Sequence, residues 1–341
     1  MPDKQLVPDV PASELRFDPV SQGWVVIATG RAKKPEQFVK PKEESHGVGE
    51  EDPCFFCDLK TQLPPKLLKG EGDNWKIAVV PNKYPAFTCC FSLDEQEIGP
   101  YKKINGLGFH EVVITRDHQK HIGQFTVEEV KELVDVYQER YLELMKEKFI
   151  NYISIFHNHG YAAGASVAHP HSQIIATPVI DPGLSDSLDG SEKYFHQHER
   201  CIHCDMIAED LKDGRRIIFE NEKFVALCPF ASKVAFEMRI YPKEHHAFFE
   251  QLGNEEKAQF AEALSAAMKM IDAALQDPPY NFFIHTAPCN GKEYEHYHWH
   301  WECFPKTSVW AGFELSTGIE ISVIEPEKAA EFLRSKREDR F

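Results

Sequence analysis

Residues 152–173 read YISIFHNHGYAAGASVAHPHSQ, in which an apolar strand leads through a glycine-rich turn into His169-Pro-His171-Ser-Gln173. Alternate side chains of an extended strand share one face, so His169, His171 and Gln173 point the same way. Pro170 cannot donate a backbone hydrogen bond, which indicates a strand start or a sheet edge. The stretch therefore predicts a strand that presents two histidines and an amide on a single face.

The turn before these histidines suits an anionic group. Asn158 and Ser166 lie in it, together with Gly160 and Gly164. Glycine permits a tight turn whose N–H groups face a phosphate. The turn before the histidine strand is therefore able to face a phosphate.

The same order of elements recurs in the second half of the chain. Residues 281–302 read NFFIHTAPCNGKEYEHYHWHWE, so that His298, His300 and Glu302 repeat the alternating pattern. Each half also contains a Cys-x-x-Cys pair, a strand, a second strand followed by a histidine, and a long helix. Such a shared order predicts two related structural units.

The predicted fold is α+β, with one unit at residues 1–185 and the other at 186–341, each a mostly antiparallel sheet carrying one long helix. Thr126 followed by Glu129 forms a capping box at the start of the first long helix. The predicted strands are 77–81, 111–115, 152–157, 224–229, 236–241 and 281–286. The predicted helices are 126–149, 254–275 and 327–336, with a strand-like segment at 318–324 and a surface loop at 41–52.

Two groups of cysteine and histidine residues predict metal sites. Zinc takes four such ligands in a tetrahedron, and four protein ligands leave no position for water, so both sites are expected to be structural. The first group is Cys54, Cys57, His169 and His118, with His121 and His110 as alternatives to His118. The second group is Cys201, Cys204, His245 and His298, with His296 as an alternative to His298. Iron remains an alternative in the second site, because ligand type alone does not settle metal identity.

His171 is the candidate nucleophile. A neutral imidazole, with a reference pKa of about 6.5, attacks phosphorus near neutral pH. Attack on the α-phosphorus of a nucleoside diphosphate sugar would release a sugar 1-phosphate, and a second phosphate would then take the nucleotide from the histidine. Positioning and charge stabilisation dominate such transfers, so no catalytic carboxylate is required.

Composition narrows the partners. The formal net charge of −16 argues against nucleic acid and anionic membranes, which require basic surfaces. No apolar run approaches the length of a membrane span. The first residues, MPDKQLVPDV, lack the apolar region of a secretory signal, so we expect a cytoplasmic protein.

Motifs along nearly the whole chain carry a resemblance to a known family. They are Leu15-Arg16-x-Asp18-Pro19 with Trp24, Arg31-Ala-Lys-Lys34-Pro, Pro81-Asn82-Lys-Tyr-Pro, His110-Glu-Val-Val, Gly164-Ala-Ser166, His169-Pro-His171-x-Gln173 and Phe304-Pro305. By these motifs the chain resembles the galactose-1-phosphate uridylyltransferase family, the transferase branch of the histidine-triad superfamily. The resemblance implies two histidine-triad-like halves, a homodimer, and a role in galactose and carbohydrate metabolism.

The resemblance also implies roles for single residues. His171 would be the uridylylated nucleophile, and His169 a zinc ligand. The phosphates would be bound by Gln173, Ser166 and Asn158, and the nucleotide or its phosphates would lie near Arg31, Lys34 and Asn82. His300 and Glu302 would mark a degenerate, non-catalytic copy of the site.

Four functions are compatible with these features. We expect first UMP transfer from UDP-glucose to galactose 1-phosphate, which gives glucose 1-phosphate and UDP-galactose. The second is ADP-glucose phosphorylase, an adenylyltransferase with phosphate as acceptor. A histidine-triad dinucleotide hydrolase ranks third, because those hydrolases carry a third histidine where this chain has Gln173, and an amide has no titrating proton to offer. A non-enzymatic zinc scaffold ranks last.

Overall fold

The computed structural model describes residues 12–31, 33–39, 54–72, 74–89 and 92–338. The surface loop predicted at 41–52 lies outside these residues. Within the described part, none of the helices is long and apolar enough to cross a membrane.

Fifteen strands and six α-helices make up the described structure. The strands are β1 (Glu14–Asp18), β2 (Gly23–Ile27), β3 (Leu67–Glu71), β4 (Asn74–Pro81), β5 (Glu95–Ile98), β6 (Tyr101–Ile104), β7 (Phe109–Thr115), β8 (Tyr152–His159), β9 (His171–Thr177), β10 (Ile217–Glu220), β11 (Phe224–Leu227), β12 (Met238–Pro242), β13 (Tyr280–His285), β14 (His300–Pro305) and β15 (Glu320–Ser322). The helices are α1 (Val127–Leu144), α2 (Pro182–His198), α3 (Ile202–Asp213), α4 (Asn254–Leu275), α5 (Gly312–Thr317) and α6 (Pro326–Glu338).

Ten of the strands form one antiparallel sheet in the order β10-β11-β12-β14-β13-β8-β9-β7-β4-β3. The order is symmetric about its centre, because each half contributes the same succession of strands and β8 pairs with β13. The predicted α+β class and the repeat are confirmed. The sequence pattern did not reveal that the two halves share one continuous sheet.

The long helices α1 and α4 pack against each other and on one face of this sheet. Apolar side chains of both helices and of the strands beneath them are fully buried in one core. The predicted capping box is present, since Thr126 Oγ1 accepts from the Glu129 N–H at 3.2 Å and Glu129 Oε2 accepts from the Thr126 N–H at 2.7 Å. Helix α1 ends earlier than predicted, because the chain turns after Leu144 to bury Ile150 and enter β8.

Several elements were not predicted. Helices α2 and α3 lie between the two halves, and Cys201 is the N-terminal cap of α3. The predicted boundary between residues 185 and 186 lies inside α2, and the division into two units remains a prediction. The segment predicted as strand-like at 318–324 contains only the short β15, which follows α5 and pairs in parallel with β2.

Candidate active site and metal clusters

The strand β9 presents His171 and Gln173 on the sheet face opposite the helices. Between them, Ser172 points the other way, because its Oγ lies 2.5 Å from the Tyr137 hydroxyl of α1 and 2.9 Å from His157 Nδ1. These two contacts fix the rotation of β9. Since adjacent residues of a strand alternate in direction, they also fix the face on which His171 stands.

The His171 ring is held in one tautomer. Its Nδ1–H donates to the carbonyl oxygen of His169 at 2.8 Å, which leaves the Nε2 lone pair as the reactive position. The side chain is 8% exposed, and the ring of Phe56 covers it with the centroids 5.0 Å apart. Burial lowers the pKa of His171, although the hydrogen bond to His169 acts in the opposite direction. The imidazole is therefore neutral, as nucleophilic attack requires.

The first predicted metal group is assembled in the structure. Cys57 Sγ lies 3.3 Å from His118 Nδ1 and 3.5 Å from His169 Nδ1, and Cys54 Sγ lies 3.5 Å from His169 Nδ1. Four ligands of a tetrahedral zinc ion at about 2.0–2.3 Å stand roughly 3.3–3.8 Å apart, so these spacings fit the ion. Of the competing histidines, His118 is the one that joins the group.

The second predicted group has the same form. Cys204 Sγ lies 3.4 Å from His245 Nδ1 and 3.6 Å from His298 Nδ1, and Cys201 completes the group. The hydrogen bond between the two thiols lowers the pKa of Cys204 and raises the pKa of Cys201, so the two cysteines share one proton in the absence of an ion. The donors fit the predicted ion in both groups.

A backbone carbonyl orients one histidine of each group. His169 Nε2–H donates to Thr115 O at 2.6 Å, and His298 Nε2–H donates to Pro242 O at 3.0 Å. These acceptors lie at the equivalent ends of β7 and β12. In both histidines the Nδ1 lone pair is thereby directed at the cysteines, which is the usual support of a ligating imidazole.

Gln173 is oriented by a residue that the sequence suggested only as a metal ligand. His110 Nδ1 accepts the Ala86 N–H at 3.1 Å, so its Nε2 carries the proton and donates to Gln173 Oε1 at 2.7 Å. Asn82 lies beside it, with Nδ2 3.1 Å from His110 Nε2. The amide NH₂ of Gln173 is left to donate toward a ligand. The sequence carried no local signal for this role, because it depends on the sheet register that places Val112, two residues from His110, opposite Gln173.

Asn158 has a matching arrangement in the centre of the sheet. Its Oδ1 accepts from Asn281 Nδ2 at 2.7 Å, and Asn281 Nδ2 also bonds Ala163 O at 2.7 Å. Because the amide oxygen of Asn158 accepts this bond, its NH₂ group is left to donate toward a ligand. In the following turn, Gly160 has a φ of +78°, and a Cβ there would meet Pro279 Cβ at 2.7 Å. Ser166 is exposed in the same loop.

Among the described residues, neither Arg31 nor Lys34 contacts His171, Gln173 or Asn158. The Arg31 N–H bonds Ala28 O at 2.9 Å at the end of β2, and Lys34 lines a surface depression together with Val323 and Lys328. Their predicted role at the nucleotide remains a prediction.

Two family models together match most of the chain: galactose-1-phosphate uridyl transferase, N-terminal domain, at residues 7–181, and the C-terminal domain at residues 187–334. The chain belongs to the galactose-1-phosphate uridyl transferase family. It is a nucleotidyltransferase.

Relatives in this family carry two different names. An ADP-glucose phosphorylase of Arabidopsis thaliana is 34% identical, with 94% of this chain and 92% of the relative covered. A galactose-1-phosphate uridylyltransferase of Thermotoga maritima is 29% identical, with 94% and 98% covered. Among solved structures, an Arabidopsis thaliana ADP-glucose phosphorylase with bound ADP-glucose has a TM-score of 0.78 at 30% identity, with 95% of this chain and 99% of that chain covered.

In the second half of this family member, charged side chains occupy the position that is equivalent to the candidate active site. Glu302 lies on the same face as Gln173, because Gln173, Phe156, Phe283 and Glu302 pair in one row across four strands. Its carboxylate bonds Arg239 Nε at 2.5 Å and His285 Nε2 at 3.0 Å. Burial alone would raise the pKa of Glu302, but Arg239 and His285 hold it well below its usual range.

This buried ion pair lies beside His300. The His300 ring stacks on Tyr241 with centroids 5.0 Å apart and on His285 at 4.9 Å. The space in which a phosphate would meet His300 is therefore lined by the protein's own aromatic and charged side chains. That His300 and Glu302 form a non-catalytic copy of the site remains a prediction.

Proposed function

We propose that His171 forms a covalent nucleotidyl intermediate from a nucleoside diphosphate hexose. The Nε2–phosphorus bond forms as the bond from the α-phosphorus to the bridging oxygen breaks, and hexose 1-phosphate leaves with the electron pair. An acceptor phosphate oxygen then attacks the same phosphorus, and Nε2 leaves as the neutral imidazole. Atoms and charges balance without proton transfer to an outside base.

The hydrogen bond from His171 Nδ1 to His169 O carries this proposal. Nucleotidylation at Nε2 leaves a positive imidazolium whose remaining proton is at Nδ1. The His169 carbonyl already accepts that proton at 2.8 Å, so the charge that develops in the ring is stabilised without reorganisation. The hydrogen bond from His171 Nδ1 to His169 O thus directs the Nε2 lone pair toward phosphorus before attack. After attack the same bond stabilises the imidazolium.

Gln173 and Asn158 supply the phosphate donors. Each has its amide oxygen engaged by a neighbouring donor, His110 or Asn281, which leaves the NH₂ groups for non-bridging oxygens. Neither group titrates, so neither activates water. This favours transfer to an anionic acceptor over hydrolysis.

As donor and acceptor we propose ADP-glucose and inorganic phosphate. The Arabidopsis thaliana ADP-glucose phosphorylase supports this reading by its 34% identity along nearly the whole chain. The second candidate is UMP transfer from UDP-glucose to galactose 1-phosphate, which the family description and the Thermotoga maritima relative support. Both reactions use His171 in the same way and differ in the base and the acceptor.

Zinc would be held by Cys54, Cys57, His118 and His169, and in the second half by the equivalent group. With four protein ligands the ion would supply structural support and no open coordination position. The first ion would fix His169 and, through its carbonyl, the ring of His171.

A homodimer is also part of the proposal. Val309 is 90% exposed, and the large apolar side chains of Trp310, Phe313 and Leu315 beside it are exposed as well. Four exposed large apolar side chains within seven residues of the chain are a feature of interfaces. Light scattering should give twice the chain mass, and the double substitution Val309→Asp and Leu315→Glu should give the single chain mass. A single-chain mass for the unmodified protein would contradict the dimer.

One labelling experiment tests the donor. The protein is incubated with ADP-glucose or UDP-glucose, each labelled in the nucleotide, without an acceptor. The test variant is His171→Ala. The matched control is His300→Asn, which changes the equivalent histidine of the second half. We expect label from ADP-glucose on the unmodified protein and on His300→Asn, and none on His171→Ala. Label from UDP-glucose alone would assign the second candidate, and nucleotide release without label would refute both.

A further inference from the structure

A third group of metal-binding side chains lies where the two halves meet. His159 is the last residue of β8, and His121 directly precedes a short 3-10 turn at residues 122–124. Asp272 lies in the last turn of α4 and Asp277 just after that helix. The first two residues belong to the first half and the last two to the second, so the group joins the halves on the helix side of the sheet.

The ligand atoms of His121, His159 and Asp277 lie within 4.8 Å of one another, and Asp272 lies beside His121. His121 Nε2 lies 3.5 Å from Asp277 Oδ1 and 3.7 Å from Asp272 Oδ1, and His159 Nε2 lies 2.6 Å from Asp277 Oδ1. The two longer spacings resemble those in the cysteine–histidine groups. The shortest, between His159 Nε2 and Asp277 Oδ1, is a hydrogen-bond distance that would have to open by about 0.7 Å or more around a tetrahedral ion.

The surroundings favour a cation. The side chains of His121 and His159 are 8% and 16% exposed, and those of Asp272 and Asp277 are 17% and 26% exposed. Two carboxylates in this position also stand at the C-terminal end of α4, where the helix dipole adds negative potential. Partly desolvated carboxylates at a helix C-terminus make the local potential negative, which attracts a cation.

We propose that His121, His159 and Asp277 bind a divalent metal ion, with Asp272 beside His121 adding negative charge. Two imidazole nitrogens with carboxylate oxygens select borderline ions such as Zn²⁺, Co²⁺ or Fe²⁺ over Mg²⁺ and Ca²⁺. The ion would tie the end of β8 to α4. Because Asn158 precedes His159 in the chain, it would also fix the strand that carries a phosphate donor.

The ring stacking is compatible with ligation. His159 lies parallel to Tyr280, with the centroids 4.9 Å apart and the planes 24° apart, and its ring is 5.0 Å from that of His121. Stacking restricts the rotation of the His159 imidazole while its Nε2 faces the carboxylate. A ligand that is oriented before the ion arrives loses less entropy on binding.

Metal counting tests the proposal on the full-length protein. The chain is equilibrated with Zn²⁺, freed of loosely bound ions by gel filtration, and its zinc measured by elemental analysis. We expect three ions per chain, and two after His159→Ala or Asp277→Asn. The matched control is His246→Ala, from a more exposed histidine–glutamate group, which should keep three. Two ions in the unmodified protein, or loss of an ion in His246→Ala alone, would overturn the proposal.

Cobalt spectra provide a second readout that does not depend on the total count. Thiolate ligands give Co²⁺ an intense charge-transfer absorption, whereas histidine and carboxylate ligands do not. The spectrum of the unmodified protein minus that of Asp277→Asn should contain only ligand-field bands. A thiolate band in this difference would assign the lost ion to a cysteine site and refute the third site. If His159→Ala does not fold, Asp277→Asn and His121→Gln, which preserve side-chain volume, decide the question.

Discussion

The carbonyl oxygen of His169 accepts the Nδ1–H of His171 at 2.8 Å, while the ring of His169 points into the first cysteine–histidine group. A single residue therefore connects the candidate metal site to the candidate nucleophile. Its ring is held from the other side by Thr115 O. A substitution that displaces the first cysteine–histidine group should therefore also change the orientation of the His171 ring.

Removing a thiol from the first group should slow the formation of the covalent intermediate. Cys57→Ser is expected to lose one zinc ion and to lower the rate of nucleotidylation roughly 10- to 100-fold, as is usual when the support of a functional group is lost. Rapid-quench labelling together with zinc analysis measures both effects.

The equivalent change in the second half is the control for that experiment. Cys204→Ser should also lose one ion, but its folded fraction should still form the intermediate at a similar rate, because the second group orients His298 and not His171. Equal losses of rate in the two variants would show that the first group has no special link to the nucleophile.

His110 should act through Gln173. Replacing His110 by Ala removes the hydrogen bond to Gln173 Oε1, which is worth about 1 kcal/mol or about fivefold in kcat. A positioning role predicts that the double variant His110→Ala, Gln173→Ala is no slower than Gln173→Ala alone. Steady-state kinetics of the four proteins gives the coupling. Additive losses would mean that His110 acts independently of Gln173.

The buried Arg239–Glu302 pair should matter for stability more than for catalysis. Glu302→Ala removes one carboxylate partner of the buried Arg239, which keeps Glu237 at 3.0 Å, so the loss should be about 1–3 kcal/mol of unfolding free energy. Urea unfolding measures the loss. Labelling per folded molecule should be retained. A folded Glu302→Ala protein without label would instead place the second half in the reaction.

Glu250 should make stability depend on pH. Burial raises the pKa of its carboxyl from 4.5 to about 7, so the folded chain holds a proton that the unfolded chain has released. Its contribution is full below the unfolded pKa and is lost as the pH rises through 7, by up to about 3 kcal/mol. Compared with Glu250→Gln, the unmodified protein should lose more stability between pH 5 and pH 8 in urea titrations. Parallel curves would contradict the raised pKa.

Local patterns in the sequence were sufficient to predict the repeat and which cysteines and histidines lie close together; that they bind metal remains a prediction. The period of two in the His169-Pro-His171-Ser-Gln173 segment predicted its common face, and the structure assembles both predicted cysteine–histidine groups with His118 and His298. Strand and helix spans were predicted to within a few residues where the periodicity was strong, as in α4.

Features that depend on long-range pairing were not accessible from these patterns. The join of β8 to β13 arises from backbone hydrogen bonds between edge strands, which carry no local signal. The link between His110 and Gln173 required the register of β7 against β9. The ion pair in the second half likewise depends on the pairing of β12 with β14, which places Arg239 opposite Glu302. The registers of these strands, and not their compositions, decide such contacts.

The most direct test of the account is the mass of the protein after reaction with a nucleoside diphosphate hexose alone. Alkaline quench preserves a phosphorus–nitrogen bond for mass spectrometry. We predict an increase of one nucleotidyl group per chain, located on His171, absent in His171→Ala, present in His300→Asn, and removed when the acceptor phosphate is added. Turnover by His171→Ala, with no mass increase in the unmodified protein, would contradict the account.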